Sequence, residues 1–308
     1  MIIYKQSIEE LKNNYLNDFN KKYNLGIKDE NYVGFRNDGL LEFGGLDEVQ
    51  FKELCRINFQ NMKELELKFE NDIDIKVLTK ATYHNLTFLG LLGKIKDINI
   101  LSELPFKSLE TLFLSGNDFF NTNIDIFRKM PFSNLKTLIL IENKINNIDG
   151  LSKAPFYELI ELNLDSNSIQ DIKPLEKLPF KKLERLSLDN NLIENLEYLY
   201  KAPFNNLYLL SLKNNKISNI NPLSKALFNR LEYLLLDANQ VSDITVFSQV
   251  TFRGLKHLYL RENKITNFEA LFYSPFIANI YVDLRQYNLI LYKYPGLLKM
   301  KNGKIISS

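Results

Sequence analysis

The chain is poor in the residues that most chemistry needs. Its 308 residues hold one cysteine, Cys55, and two histidines, His84 and His257. A single cysteine excludes an internal disulfide framework and suits a reducing compartment. With so few soft ligands no His/Cys metal cage can be assembled, so neither a metal nor a cofactor is expected. No apolar run approaches the length that crosses a bilayer. The opening Met-Ile-Ile-Tyr-Lys-Gln-Ser lacks the basic and then apolar order of a secretory signal. A cytoplasmic location is expected, with unconventional export left open. The formal net charge is +2 with both signs interspersed, which gives no basic footprint for nucleic acid. The G-x-x-x-x-G-K phosphate loop is absent from the repeats.

What the chain does have is a period. Asn143, Asn167, Asn191, Asn215, Asn239 and Asn263 recur every 24 residues, with leucines eight, five and three residues before each. The unit reads L-x-x-L-x-L-x-x-N-x-I-x-x-I-x-x-L-x-x-x-P-F-x-x, and a fixed period of this size is the signature of a solenoid. L-x-L has period two, so Leu138 and Leu140 face inward while Thr137, Ile139 and Ile141 face out. Such a short strand cannot bury its apolar face alone, but parallel stacking of successive strands builds a continuous core. The asparagine ends each strand, and its amide can bond backbone groups in its own coil and the next. The N-x-I-x-x-I-x-x-L run, spaced by threes, predicts a tight 3₁₀-like return. Pro-Phe then stops it. Phenylalanine or tyrosine fills that slot from Phe59 and Tyr83 through Phe106, Phe132, Phe156, Phe180, Phe204, Phe228 and Phe252 to Phe276, an expected internal aromatic stack.

This pattern resembles the leucine-rich repeat family, and the continuation is similar to the subclass of bacterial internalins and eukaryotic phosphatase-regulating repeat proteins. The resemblance implies an α/β leucine-rich repeat solenoid, curved, with a parallel sheet on the concave side, and usually protein binding there. It transfers no binding residues.

Ten units are counted, starting at Met62, Leu86, Leu109, Leu135, Leu159, Leu183, Leu207, Leu231, Leu255 and Asn279. The early ones decay: Glu70 takes the first asparagine slot, and Gly93-Lys94-Ile95 lacks one. Extra residues near Phe120–Asn123 are expected to bulge from a rim. The last unit keeps Val282 and Leu284, with Tyr287 where asparagine is expected. Residues 46–290 are thus the solenoid. Residues 1–45 are read as an N-terminal cap, with a capping box at Ser7 and Glu10 opening a helix whose Ile8, Leu11, Tyr15 and Phe19 share one face. That helix is alternatively a docking element for a partner. Gly39–Gly45 is expected to supply a short edge strand. Residues 291–308 are read as a C-terminal cap with a hairpin turn at Lys301–Lys304.

Chemistry inside this frame looks poor. His257 falls on the concave face, but the nearest serine in the register, Ser211, is two strands away, roughly 10 Å by strand spacing. A Ser-His pair needs about 3 Å. His84 and Cys55 are read as surface residues, Cys55 from a convex slot held elsewhere by Ser102, Ser152, Ser224 and Ser248. No catalytic residue is expected.

Function must lie where the core dictates nothing, in the third, fifth and seventh positions of each unit. Toward the C-terminal end these positions give Leu209, Tyr233, Leu235, His257, Tyr259 and Tyr281 beside Asp237, Arg261, Asp283 and Arg285. Aromatics flanked by mixed charge on a rigid sheet have the composition of a protein-binding hot spot; the alternative is that large side chains merely cover the sheet. Toward the N-terminal end Phe88, Leu92, Phe113, Ile139 and Ile141 form an apolar patch, open to a hydrophobic segment or covered by the chain's own first helix. Asp165, Asp189, Lys213 and Asp237 stand in one column, either a charge ladder or an acidic landing site. The reading is a non-enzymatic scaffold for a protein partner. An exported effector or adhesin-like form recognising a host protein, and a non-catalytic part of a multi-chain enzyme, are the alternatives.

Overall fold

The computed structural model describes residues 33–35, 40–44, 48–56, 62–69, 71–117, 124–276, 278–299 and 304–307. The expected helix at Ser7–Phe19, Phe59, Glu70 and the insertion at Phe120–Asn123 lie outside them.

The period-two pattern does what it predicts: one open sheet contains every strand in chain order. Its members are β1 (Val33–Phe35), β2 (Leu40–Gly44), β3 (Glu64–Lys68), β4 (Phe88–Leu92), β5 (Thr111–Ser115), β6 (Thr137–Ile139) and β7 (Glu161–Asn163). They continue as β8 (Arg185–Ser187), β9 (Leu209–Ser211), β10 (Tyr233–Leu235), β11 (His257–Tyr259), β12 (Asn279–Val282) and β13 (Ile305–Ser307). β1 and β2 are antiparallel, and from β2 onward each strand is parallel to the next. Within the expected edge strand, the described residues Leu40–Gly44 form β2, which is not an edge: it is paired on both sides, and β1 lies outside it. Leu138 and Leu140 are fully buried, Thr137, Ile139 and Ile141 half-buried on the other face. The returns are 3₁₀ turns such as Asp149–Lys153 and Asn221–Lys225. The aromatic slots from Tyr83 to Phe276 are all buried, with Phe156 and Phe180 stacked at 6.3 Å and Phe252 and Phe276 at 6.4 Å.

The asparagines form a ladder as expected, but toward the coil before and not the next. Asn191 Nδ2 donates to the carbonyls of Leu188 and Asp189 in its own coil and of Leu164 in the coil before, while its Oδ1 accepts from Ile169 N–H. Asn167, Asn215, Asn239 and Asn263 repeat the arrangement. Each rung satisfies buried backbone groups that a turning chain would otherwise orphan.

The ends depart from the sequence reading. A helix, α1 (Glu48–Arg56), fills the convex side ahead of β3, with acid in its first turn and base in its last. It buries Phe51, Leu54 and Cys55 at helical spacing. Cys55 is thus a core residue and not a surface one; its slot belongs to a helix, unlike the serines it was aligned with. Burial pushes its thiol up to about 12. His84 is exposed, as expected.

At the other end the register of the last unit is two residues away from the sequence alignment. β12 pairs His257 with Asn279 and Tyr259 with Tyr281, because the turn after Phe276 is shorter than its predecessors. Leu284 is consequently not an inward leucine. It begins a second helix, α2 (Leu284–Lys293), and is 63% exposed. Asp283 caps that helix in a reciprocal box with Gln286. Gln286, not Tyr287, stands in for the asparagine: it is buried and its Nε2 donates to Leu260 O at 3.0 Å. Lys301–Gly303, on which the expected hairpin turn falls, lie outside the described residues; the strand beyond them, β13, runs parallel to β12.

Candidate functional site

Parallel registration converts residues one unit apart into neighbours on one face, so the concave columns become contiguous surfaces. Across β9–β12, Leu209, Tyr233, His257 and Asn279 are aligned, as are Ser211, Leu235, Tyr259 and Tyr281. Tyr233 and His257 stack at 4.4 Å with 9° between their planes. Tyr259 and Tyr281 stack at 4.0 Å and 4°. His257 bridges the two pairs, 5.9 Å from the Tyr281 ring, with its Nδ1 3.1 Å from the Tyr281 hydroxyl. Such pairs contribute about 0.5–1.5 kcal/mol each beyond area burial, so the surface is rigid before any ligand arrives. All four rings are half-buried. Burial, and then the hydrogen bond to Tyr281, push the Tyr259 phenol up to about 12.

The cluster also recruits a residue that column counting omits. Tyr208, at the second position of its unit, lies 5.2 Å from Tyr233 and is exposed. Its phenol is held above the usual value first by a hydrogen bond with Tyr233. A signal existed: the same position elsewhere holds Lys136, Glu184, Glu232 and Lys256.

Arg261 follows β11 at the seventh position. Its guanidinium carbon lies 5.6 Å from the Tyr259 ring centre and 5.4 Å from that of Tyr281. Asp237 and Asp283 flank it in the same column. Asp237 Oδ1 accepts from Arg261 N–H at 2.8 Å. Asp283 Oδ2 accepts from Glu262 N–H at 3.0 Å, and its Oδ1 from Gln286 N–H at 2.9 Å. Arg285 belongs to α2 and not to the sheet; its Nη2 donates to the Asn263 carbonyl. The two-residue shift of the last unit explains that displacement. Leu209 and Leu235 are half-buried on the sheet beside the rings.

The acidic column turns out to be engaged within the sheet. Asp165 Oδ1 accepts from Ser187 Oγ and Asp189 N–H; Asp189 Oδ1 accepts from Ser211 Oγ and Lys213 N–H. Each carboxylate closes a backbone donor of the coil that follows. Burial holds both Asp189 and Asp237 above the ordinary carboxylate value. Ser211, bound to Asp189 on β9, is separated from His257 by the whole of β10.

The second patch has a different character. Phe88, Leu92, Phe113, Ile139 and Ile141 are half-buried on β4–β6 and just beyond β6, without stacked rings. Gly90, opposite Phe113, sits where a Cβ would meet Glu66 Cγ at 2.8 Å. Among the described residues no helix is long and apolar enough to cross a membrane.

Comparison with known proteins adds the fold family. No protein-family model and no curated protein matches the chain. Solved structures do. The chain is similar to an internalin of Listeria monocytogenes, at 24% identity over 82% of this chain and 77% of that one, with a TM-score of 0.55. It is also similar to internalin C2 of the same organism, at 26% identity over 61% of this chain and 76% of that one, TM-score 0.48. A leucine-rich-repeat protein of Leptospira interrogans matches at 20% identity over 83% of this chain and 76% of that one, TM-score 0.49. The Listeria internalin first named, together with the repeat and its strand register, identifies this chain as a leucine-rich-repeat solenoid of internalin-like build.

Proposed function

We propose that the chain is a non-enzymatic scaffold that binds a protein partner on the concave face of its C-terminal coils, across β9–β12. The observation that carries this reading is the run of stacked, half-exposed rings from Tyr208 through Tyr233 and His257 to Tyr281 and Tyr259. Solenoid stability requires the inward leucines, the asparagines and the aromatic slots; nothing in it requires tyrosine or histidine on the outer columns. Rigid aromatics beside an arginine lose little entropy on contact, and such residues dominate interface energetics. The near-neutral net charge favours a protein partner over nucleic acid.

Affinity capture with the wild type and with Tyr233→Ala/Tyr259→Ala tests this. A partner captured by the wild type should bind the double variant more weakly by about 2 kcal/mol or more, with an unchanged melting temperature to within a few degrees. Equal capture by both removes the C-terminal patch as the site.

A further inference from the structure

We infer that Arg261 is a receptor for a carboxylate, and that the partner segment seated on the ring cluster carries an aspartate or glutamate side chain there. This rests on the binding reading above and gives the partner a chemistry. A guanidinium has five N–H donors and no acceptor. Among the described residues the Arg261 guanidinium donates no hydrogen bond and forms no ion pair, although its Nε is buried from solvent. Burying an unpaired charged donor is unfavourable, so the group calls for a partner.

The surroundings explain why nothing in the chain fulfils that role. Both flanking carboxylates bond backbone donors, Asp237 through Oδ1 to the amide of Arg261 itself and Asp283 to Glu262 and Gln286, and neither forms an ion pair with the guanidinium. Meanwhile the Tyr259 and Tyr281 rings hold the guanidinium by cation–π contact, at 5.6 and 5.4 Å, so the group is positioned without being saturated. A planar fork fixed in this way matches a carboxylate in two parallel hydrogen bonds. The two aspartates bear on the charge of the guest: they repel a doubly charged phosphate more strongly than a single carboxylate. The adjoining edges of Tyr233 and His257 then offer apolar contact to the neighbouring residues of the same segment.

Selection of a random peptide display library on the full chain supplies the probe. Peptides that bind the wild type and fail on Tyr233→Ala/Tyr259→Ala define ligands of the patch. For these, fluorescence polarisation compares wild type, Arg261→Gln and Arg261→Lys against each peptide and its Asp→Asn or Glu→Gln version. The expected result is one acidic peptide residue whose amide version binds the wild type about ten-fold more weakly, the factor that ~1.4 kcal/mol represents. The same change should have no effect on Arg261→Gln. Arg261→Lys, which keeps the charge and loses the fork, should fall clearly below the wild type. Patch-dependent peptides whose affinity ignores Arg261, or whose dependence on it ignores their own carboxylates, overturn the inference and leave the scaffold reading standing. A library that yields no patch-dependent peptide overturns both. Thermal melts of the two arginine variants separate loss of binding from loss of fold.

Discussion

At Asn191 the turn that follows the strand is closed by a side chain of the coil itself, and at the C-terminal end by Gln286 reaching in from a helix. The central rung bonds three carbonyls and one amide. Gly93, which supplies no side chain, turns at φ +110° and donates its N–H to Ser115 O at 2.8 Å, the same bond that Asn190 N–H makes to Lys213 O beside Asn191. Gln286 repeats the link to the previous coil through one donor, to Leu260 O, while its Oε1 accepts from Asp283 N–H. The requirement common to Asn191 and Gln286 is a donor for a buried carbonyl of the coil before, not asparagine as such. Asparagine serves where the backbone continues as a coil. The longer glutamine serves where a helix begins and the backbone stands further back.

Substitutions at the three sites test that view. The largest effect is expected for Gly93→Ala. A Cβ there would lie 2.3 Å from Phe69 O, and an alanine would be held at a φ it rarely adopts. Denaturant titration should show a loss of about 3 kcal/mol or more. A loss below that of Asn191→Ala would mean that the Phe69 segment gives way freely. Next comes the ladder itself: Asn191→Ala, which leaves several buried groups unpaired, should cost roughly 1–3 kcal/mol, and Gln286→Ala less, since it removes one inter-coil bond. Equal losses at the two positions would break the contrast between centre and end.

The smallest effect concerns the carboxylate beside the ladder. Burial raises Asp189 above its ordinary value in the folded state. The folded chain therefore holds that proton more tightly than the unfolded chain. The resulting stabilisation is fully present below the unfolded value and is lost as pH rises through the folded one. In Asp189→Asn the amide oxygen still accepts from Ser211 Oγ and Lys213 N–H. Its stability relative to wild type should rise with pH across that window and then level off. A difference that stays flat from acid to neutral pH would show that Ser211 and Lys213 fully offset the burial.

How far the sequence carried can be read from the same places. The period revealed the coil, the inward leucines, the 3₁₀ returns and the central asparagines, because each is set by a rule that repeats. It misplaced the last unit, since counting forward from Phe276 assumes a full-length turn and the chain omits two residues there. That one slip moved Tyr281 and Asp283 by a column, put Arg285 in the sheet and pointed to Tyr287 in place of its neighbour Gln286. Helix α1 was missed for a related reason: Cys55 lined up with a serine column, and alignment overrode the helical spacing of Phe51, Leu54 and Cys55. The outer columns named Tyr233, His257 and Tyr259 as neighbours, but whether rings stack, and whether Tyr208 joins them, depends on side-chain directions that a column does not contain. The bonding of the aspartates was likewise invisible, because a backbone donor leaves no mark in the sequence.

The rungs have one more implication. Each of these asparagines donates to its own coil and to the coil before it, and each column aspartate accepts from the coil after, so the ladder bonds reach only adjacent coils. A molecule joined in this way is modular. Removing or duplicating one whole period in its middle, such as residues 183–206, exchanges each ladder partner for its equivalent one coil on, and removal forfeits only side-chain pairs such as Glu161–Arg185. The ring cluster and its arginine sit against the C-terminal helix and would travel with it unchanged. Length in this protein is a variable that folding leaves free, in steps of one coil.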